Sequence, residues 1–176
     1  RGELGSRGTP AIRAREAKTA AEIMGLAVRE NLKLKDGSIF DTPEARLRVV
    51  RVLRKYRPKL VFTHYWDDRH PDHIYTSRIV AQACYMSGLA KIKTNQERFR
   101  PNRIFYFMVP YTVQASFYVD ISLQIEKKML AIKAFHSQMF DPQSREPQTY
   151  LSVPEFLPDL RGLNRYYGTL IQTKYA

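Results

Sequence analysis

The groups best able to do chemistry are concentrated in Arg69-His70-Pro71-Asp72-His73. Two of the chain's four histidines stand in this run, with a carboxylate between them. Imidazole carries protons near neutral pH and ligates metals, and an adjacent carboxylate can orient it. The spacing leaves two readings open. One is a metal or acid–base site. The other is a helix start, with Pro71 in the first turn and Asp72 as the negative charge favoured there. A mononuclear zinc site needs about three protein ligands and an open water position. The remaining histidines, His64 and His136, fall on the preceding strand and at the end of a distant helix.

Position matters as much as residue type. Leu60-Val61-Phe62, within Lys59 to His64, reads as a buried strand, and Ile74 to Leu89 reads as a helix. The cluster therefore falls at the carboxyl end of a strand, where open α/β sheets bind ligands. Upstream, Pro10 to Leu26 reads as a helix, Ala27 to Leu32 as a short strand, and Lys35-Asp36-Gly37 as a turn. Thr42-Pro43 is an N-cap followed by proline at the first helical position. The helix it opens carries Leu47, Val50, Leu53 and Tyr56 as a core stripe, with Arg46, Arg48, Arg51, Arg54 and Lys55 as a solvated face. Downstream, Arg103 to Val109 and Phe117 to Ile121 read as strands. Ser122 to His136 reads as a helix capped by Ser122, and Leu160 to Gln172 as a last helix. Asp141 to Pro158, with four prolines, reads as an irregular surface loop. Strands alternating with helices predict a single α/β domain over 1–176, with a Rossmann-like, mostly parallel sheet covered by helices on both faces.

Composition narrows the classes. A lone cysteine, Cys84, excludes an internal disulfide framework and a thiolate zinc cluster. Its neighbours Ala81, Ala83 and Tyr85 suggest a buried, inert thiol. No apolar run reaches the roughly 20 residues that span a bilayer, so a cytoplasmic protein without a membrane partner is expected. The net charge of +12 raises the question of nucleic acid. No helix-turn-helix, zinc-finger or aromatic RNA-binding signature accompanies it, and no nucleic-acid partner is expected.

Several segments together carry a resemblance. They are Gly8-Thr9, Arg13 and Glu16-Ala17; Thr63-His64-Tyr65 with Asp67 to His73; Ser116 to Ile121; Lys127, Ala131-Ile132 and His136-Ser137-Gln138; and Lys174-Tyr175-Ala176. In this order they resemble the LmbE/PIG-L family of zinc-dependent N-acetylglucosamine deacetylases. More narrowly they are similar to its bacillithiol-pathway branch, which deacetylates N-acetylglucosaminyl malate. The resemblance implies that His73 is a Zn2+ ligand and that His70 faces the reacting centre, with Asp72 holding its imidazole. Arg13 then points at the sugar, and Arg69 suits an anionic group such as a malate carboxylate. The substrate implied is a small N-acetylated amino sugar, handled by a homo-oligomer, a trimer or hexamer.

The family's His-Pro-Asp-Asp-x-Glu segment, which carries the other zinc ligands and the general base, has no counterpart here. It is expected upstream of Arg1, with the chain truncated before residue 1 and after residue 176.

Overall fold

A computed structural model describes residues 7–107 and 113–176, which fall into two compact units. The first unit, from Asn31 onward, contains α2 (Pro43–Tyr56), β1 (Leu60–His64), α3 (Pro71–Ser87) and β2 (Arg103–Phe107). The second combines residues up to Glu30 with those from Ala115 and holds α1 (Pro10–Met24), α4 (Ile125–Lys133) and α5 (Phe156–Leu170). The fold is α/β.

In the first unit the two strands run parallel, with Leu60 opposite Arg103 and His64 opposite Phe107. The amide of Tyr65 donates to the Phe107 carbonyl at 2.9 Å and carries the ladder one step further. Two parallel strands cannot be joined by a tight hairpin, and α3 lies in the connection between them. It packs on β1, and α2 packs on α3. Val50, Leu53, Ala83 and Cys84 form the buried core, lined by Leu47, Val61, Val80 and Ile104. α2 begins as expected: Thr42 Oγ1 accepts from the Ala45 amide at 3.1 Å, and Pro43 follows. It ends at Arg57, whose φ of 50° places a non-glycine residue in the left-handed region.

Its arginines are not all a solvated face. Arg54 is 5% exposed. Its guanidinium donates to the carbonyls of Ser87, Leu89 and Ile92 and to Thr94 Oγ1, at 2.7 to 3.0 Å. One buried cation thereby satisfies carbonyls that the end of α3 leaves without helical partners.

In the second unit α1 starts at Thr9, whose hydroxyl accepts from the Ile12 amide, and stops at Gly25 with φ 71°. It packs on α4, which buries Ile125, Met129 and Ala131. The last residues return along α5: the Ala176 amide donates to the Asn164 carbonyl, and the Ile121 amide to that of Tyr175. A Cβ on Gly168 would come within 2.8 Å of backbone at Thr173 and Tyr175.

Some expected elements are absent. Residues 27–32 and 117–121 are not strands. Near the first, Asn31 Oδ1 takes the Lys33 amide and Lys33 has φ 55°. In the second, Asp120 Oδ1 takes both the amide and the hydroxyl of Ser122. Such side-chain bonds offer backbone groups an alternative to a ladder. Ser122 is thus occupied, and α4 begins three residues later, without a side-chain cap. His136 opens a separate 3-10 turn, His136–Gln138. Of the expected strand 103–109, residues 108 and 109 lie outside the described residues. No helix among the described residues is long and apolar enough to cross a membrane.

Candidate metal and hydrolytic site

β1 ends at His64, and the loop 65–70 returns the chain to the N-terminus of α3. His70 occupies the N-cap position, and its Nδ1 accepts from the Asp72 amide at 3.2 Å. Accepting at Nδ1 leaves the ring hydrogen on Nε2. His73, one turn on, stacks between two other imidazoles. The His64 ring lies 4.0 Å away at an interplanar angle of 9°, and the His70 ring 4.6 Å away at 18°.

Asp68 organises this stack. Its Oδ1 accepts from the His70 amide at 2.8 Å, and its Oδ2 lies 3.0 Å from His73 Nδ1. Burial alone would raise the Asp68 carboxyl, but the His70 amide and the His73 ring outweigh it, and the group is held below the ordinary carboxylate value. Burial, reinforced by the neighbouring His73 ring, lowers the pKa of His64. That favours the neutral ring, the form able to ligate. His64 Nδ1 is buried without a hydrogen-bond partner among the described residues.

The structure reassigns Asp72. Its carboxylate does not hold the His70 ring. It is 7% exposed and accepts from the amides of Gly37 (2.6 Å) and Ile39 (3.1 Å), tying the 36–37 turn to the start of α3. Those two amides point at Asp72, whereas His70 meets it through the Asp72 backbone. The carboxylate that orients a histidine is Asp68, and the histidine is His73.

The two arginines are placed differently. Arg69 is exposed on the site loop. Arg13 belongs to the other unit, where it donates to the Arg7 carbonyl at 3.0 Å and lies 3.7 Å from Glu16. Glu16, 2% exposed, also receives the amide and hydroxyl of Ser137.

The family model described as PIG-L, GlcNAc-PI de-N-acetylase, matches residues 1–84, which include the whole imidazole cluster. A conserved protein from Thermus thermophilus is 35% identical, with a TM-score of 0.87 over 99% of this chain and 74% of its own. Over residues 1–84, just under half of its length, the chain is similar to the PIG-L family. A diacetylchitobiose deacetylase from Thermococcus kodakarensis is 29% identical over 99% of the chain. The chain spans 64% of that relative's length. The N,N'-diacetylchitobiose deacetylase from Pyrococcus horikoshii, solved with its inhibitor MPG, shares the fold, with 24% identity and a TM-score of 0.77 over 94% of this chain and 61% of its own.

PIG-L members are generally metal-dependent, and His64, Asp68 and His73 offer ligand atoms within 4.8 Å of one another. Two nitrogens and an oxygen are a suitable donor set for zinc. Orientation decides how many can act together. A metal in the plane of the His73 ring lies well off the plane of His64, because the rings are stacked nearly parallel. What fits is one nitrogen. With His73 Nδ1 turned to Asp68, Nε2 is left to bind, the carboxylate–histidine–metal arrangement that orients a ligand ring. His64 and Asp68 were not singled out from the sequence. The available signal was local: Asp68 precedes His73 by five residues in a segment holding three aspartates, and only the folded loop selects among them.

Proposed function

We infer that this chain belongs to a hydrolase that removes the N-acetyl group from an N-acetylglucosamine conjugate and releases acetate. The observation that carries the reading is the Asp68–His73 pair at 3.0 Å with His70 stacked beside it. His73 Nε2 would hold the metal, which we take to be zinc, and further ligands and the general base come from outside this loop. When bound, zinc polarises a carbonyl and activates water. His70 supplies an Nε2–H donor for the carbonyl oxygen as negative charge develops there, and its cap bond fixes the ring that presents the donor. Asp68 keeps His73 in one orientation, and Asp72 keeps the start of α3 in place. Arg69 suits an anionic group on the substrate, and Arg13 the sugar.

The conjugate is either a chitobiose-type disaccharide or N-acetylglucosaminyl malate, the bacillithiol-pathway substrate. The curated relative's name supports the first and the motif pattern the second. Acetate release by the purified protein from both compounds, with and without a chelator, tests the reading. We expect chelator-sensitive acetate release from at least one. No release from either in the presence of added zinc refutes the function.

A further inference from the structure

The loop that positions the imidazoles also carries the chain's only tryptophan, Trp66. It stands two residues beyond His64, so its Cα lies within about 7 Å of that of His64. The indole is held from two directions. Tyr65 packs at 4.1 Å with an interplanar angle of 30°, and Tyr106 of β2 meets it edge-to-face at 4.8 Å. Despite both contacts Trp66 remains 52% exposed. An aromatic ring fixed by its neighbours yet open to solvent offers contact area at low ordering cost, the property of a binding anchor rather than of a core residue.

We propose that Trp66 is a platform on which a second pyranose ring of the substrate stacks, so that the site selects glycosidically extended N-acetylglucosamine over the monosaccharide or an acyclic aglycone. This rests on the deacetylase reading and names its substrate class. A pyranose presents a face of C–H groups, which gains from leaving water against an indole.

Because Trp66 is the sole tryptophan, its fluorescence reports on the proposed contact without any turnover. The purified chain is titrated with the deacetylated disaccharide chitobiose, with glucosamine and with malate. We expect a saturable change in emission with the disaccharide and none with the other two at equal concentration. In steady-state assays Trp66→Ala should raise KM for N,N'-diacetylchitobiose about tenfold, equivalent to about 1.4 kcal/mol. It should leave kcat, and KM for N-acetylglucosamine, within twofold. Trp66→Phe should recover most of the loss. An unchanged emission at saturating disaccharide, or equal KM changes for disaccharide and monosaccharide, overturns the platform. Saturable quenching without acetate release from any substrate sinks the deacetylase reading and leaves the platform standing. Acetate release without a Trp66 response does the reverse.

Discussion

Asp68 and Asp72 sit four residues apart, and the structure gives them separable jobs, which paired substitutions expose. In Asp68→Asn the side chain keeps its shape but not both acceptors. Its oxygen can serve either the His70 amide or His73 Nδ1, and its NH2 group then faces the other donor. His73 loses its fixed orientation. Removing such a supporting carboxylate typically weakens metal affinity about 10- to 100-fold, or about 1.4 to 2.8 kcal/mol. In Asp72→Asn the same donor conflict arises at the amides of Gly37 and Ile39. A hydrogen bond to a charged group contributes about 1.5 to 3 kcal/mol. Losing one and straining the other should cost roughly 2 to 4 kcal/mol of folding stability. Urea unfolding and zinc competition against a chelating dye separate the two losses. Asp72→Asn should lower the unfolding midpoint at unchanged m-value and leave zinc affinity within threefold. Asp68→Asn should lower zinc affinity at least tenfold. The opposite outcome, zinc affinity lost in Asp72→Asn with stability intact and retained in Asp68→Asn, would refute the assignment and restore Asp72 as the orienting group.

Within the proposed function, His73→Ala should abolish metal retention, measured by elemental analysis. His70→Ala should keep the metal while kcat falls about 100-fold, within the usual range for removing one hydrogen-bond donor to a developing oxyanion. Arg54→Leu should destabilise by about 2 to 4 kcal/mol, because buried carbonyls lose hydrogen bonds from a charged donor, and a loss under about 1 kcal/mol in urea unfolding would show that the carbonyls it serves find other partners. Asp41 accepts from Arg46 and Gln82 at 2.6 Å, and its pKa is lowered, first by the Arg46 hydrogen bond. A depressed folded-state value stabilises above the unfolded pKa, near 3.9 for aspartate, and the contribution disappears as pH falls through the folded value. Asp41→Asn should therefore lower stability at neutral pH and flatten the acid side of the stability–pH curve.

Helix starts were written into the chain with particular clarity. Thr9-Pro10, Thr42-Pro43 and His70-Pro71 each place a capping side chain before a proline, and each opens a helix in the structure. Here the two readings of His70-Pro71-Asp72-His73 stop competing, because the segment is a helix start and also the site. β1 and β2 were legible from their apolar and aromatic runs. Residues 27–32 and 117–121 carried enough apolar character to suggest strands, but Val28, Phe117 and Val119 are half exposed or more, and neither segment is a strand among the described residues. Arg54 was open to a closer reading. It follows Val50 by four residues and so shares the face that α2 buries.

The sequence by itself determined what is local: caps, turns, the core stripe of α2 and the concentration of imidazoles after β1. These depend on groups within a turn or two of one another, and residue type and spacing specify them. Only the tertiary structure decided which carboxylate serves which partner. Asp72 is claimed by Gly37 and Ile39, more than thirty residues upstream. Arg54 is claimed by carbonyls at and beyond the end of α3. Asp68, left over by that sorting, meets His73 because β1 stops at His64 and the loop turns the chain back on itself. Several carboxylates close in sequence are equivalent until the fold supplies different donors to each, and spacing alone carries no information about donors that arrive from elsewhere.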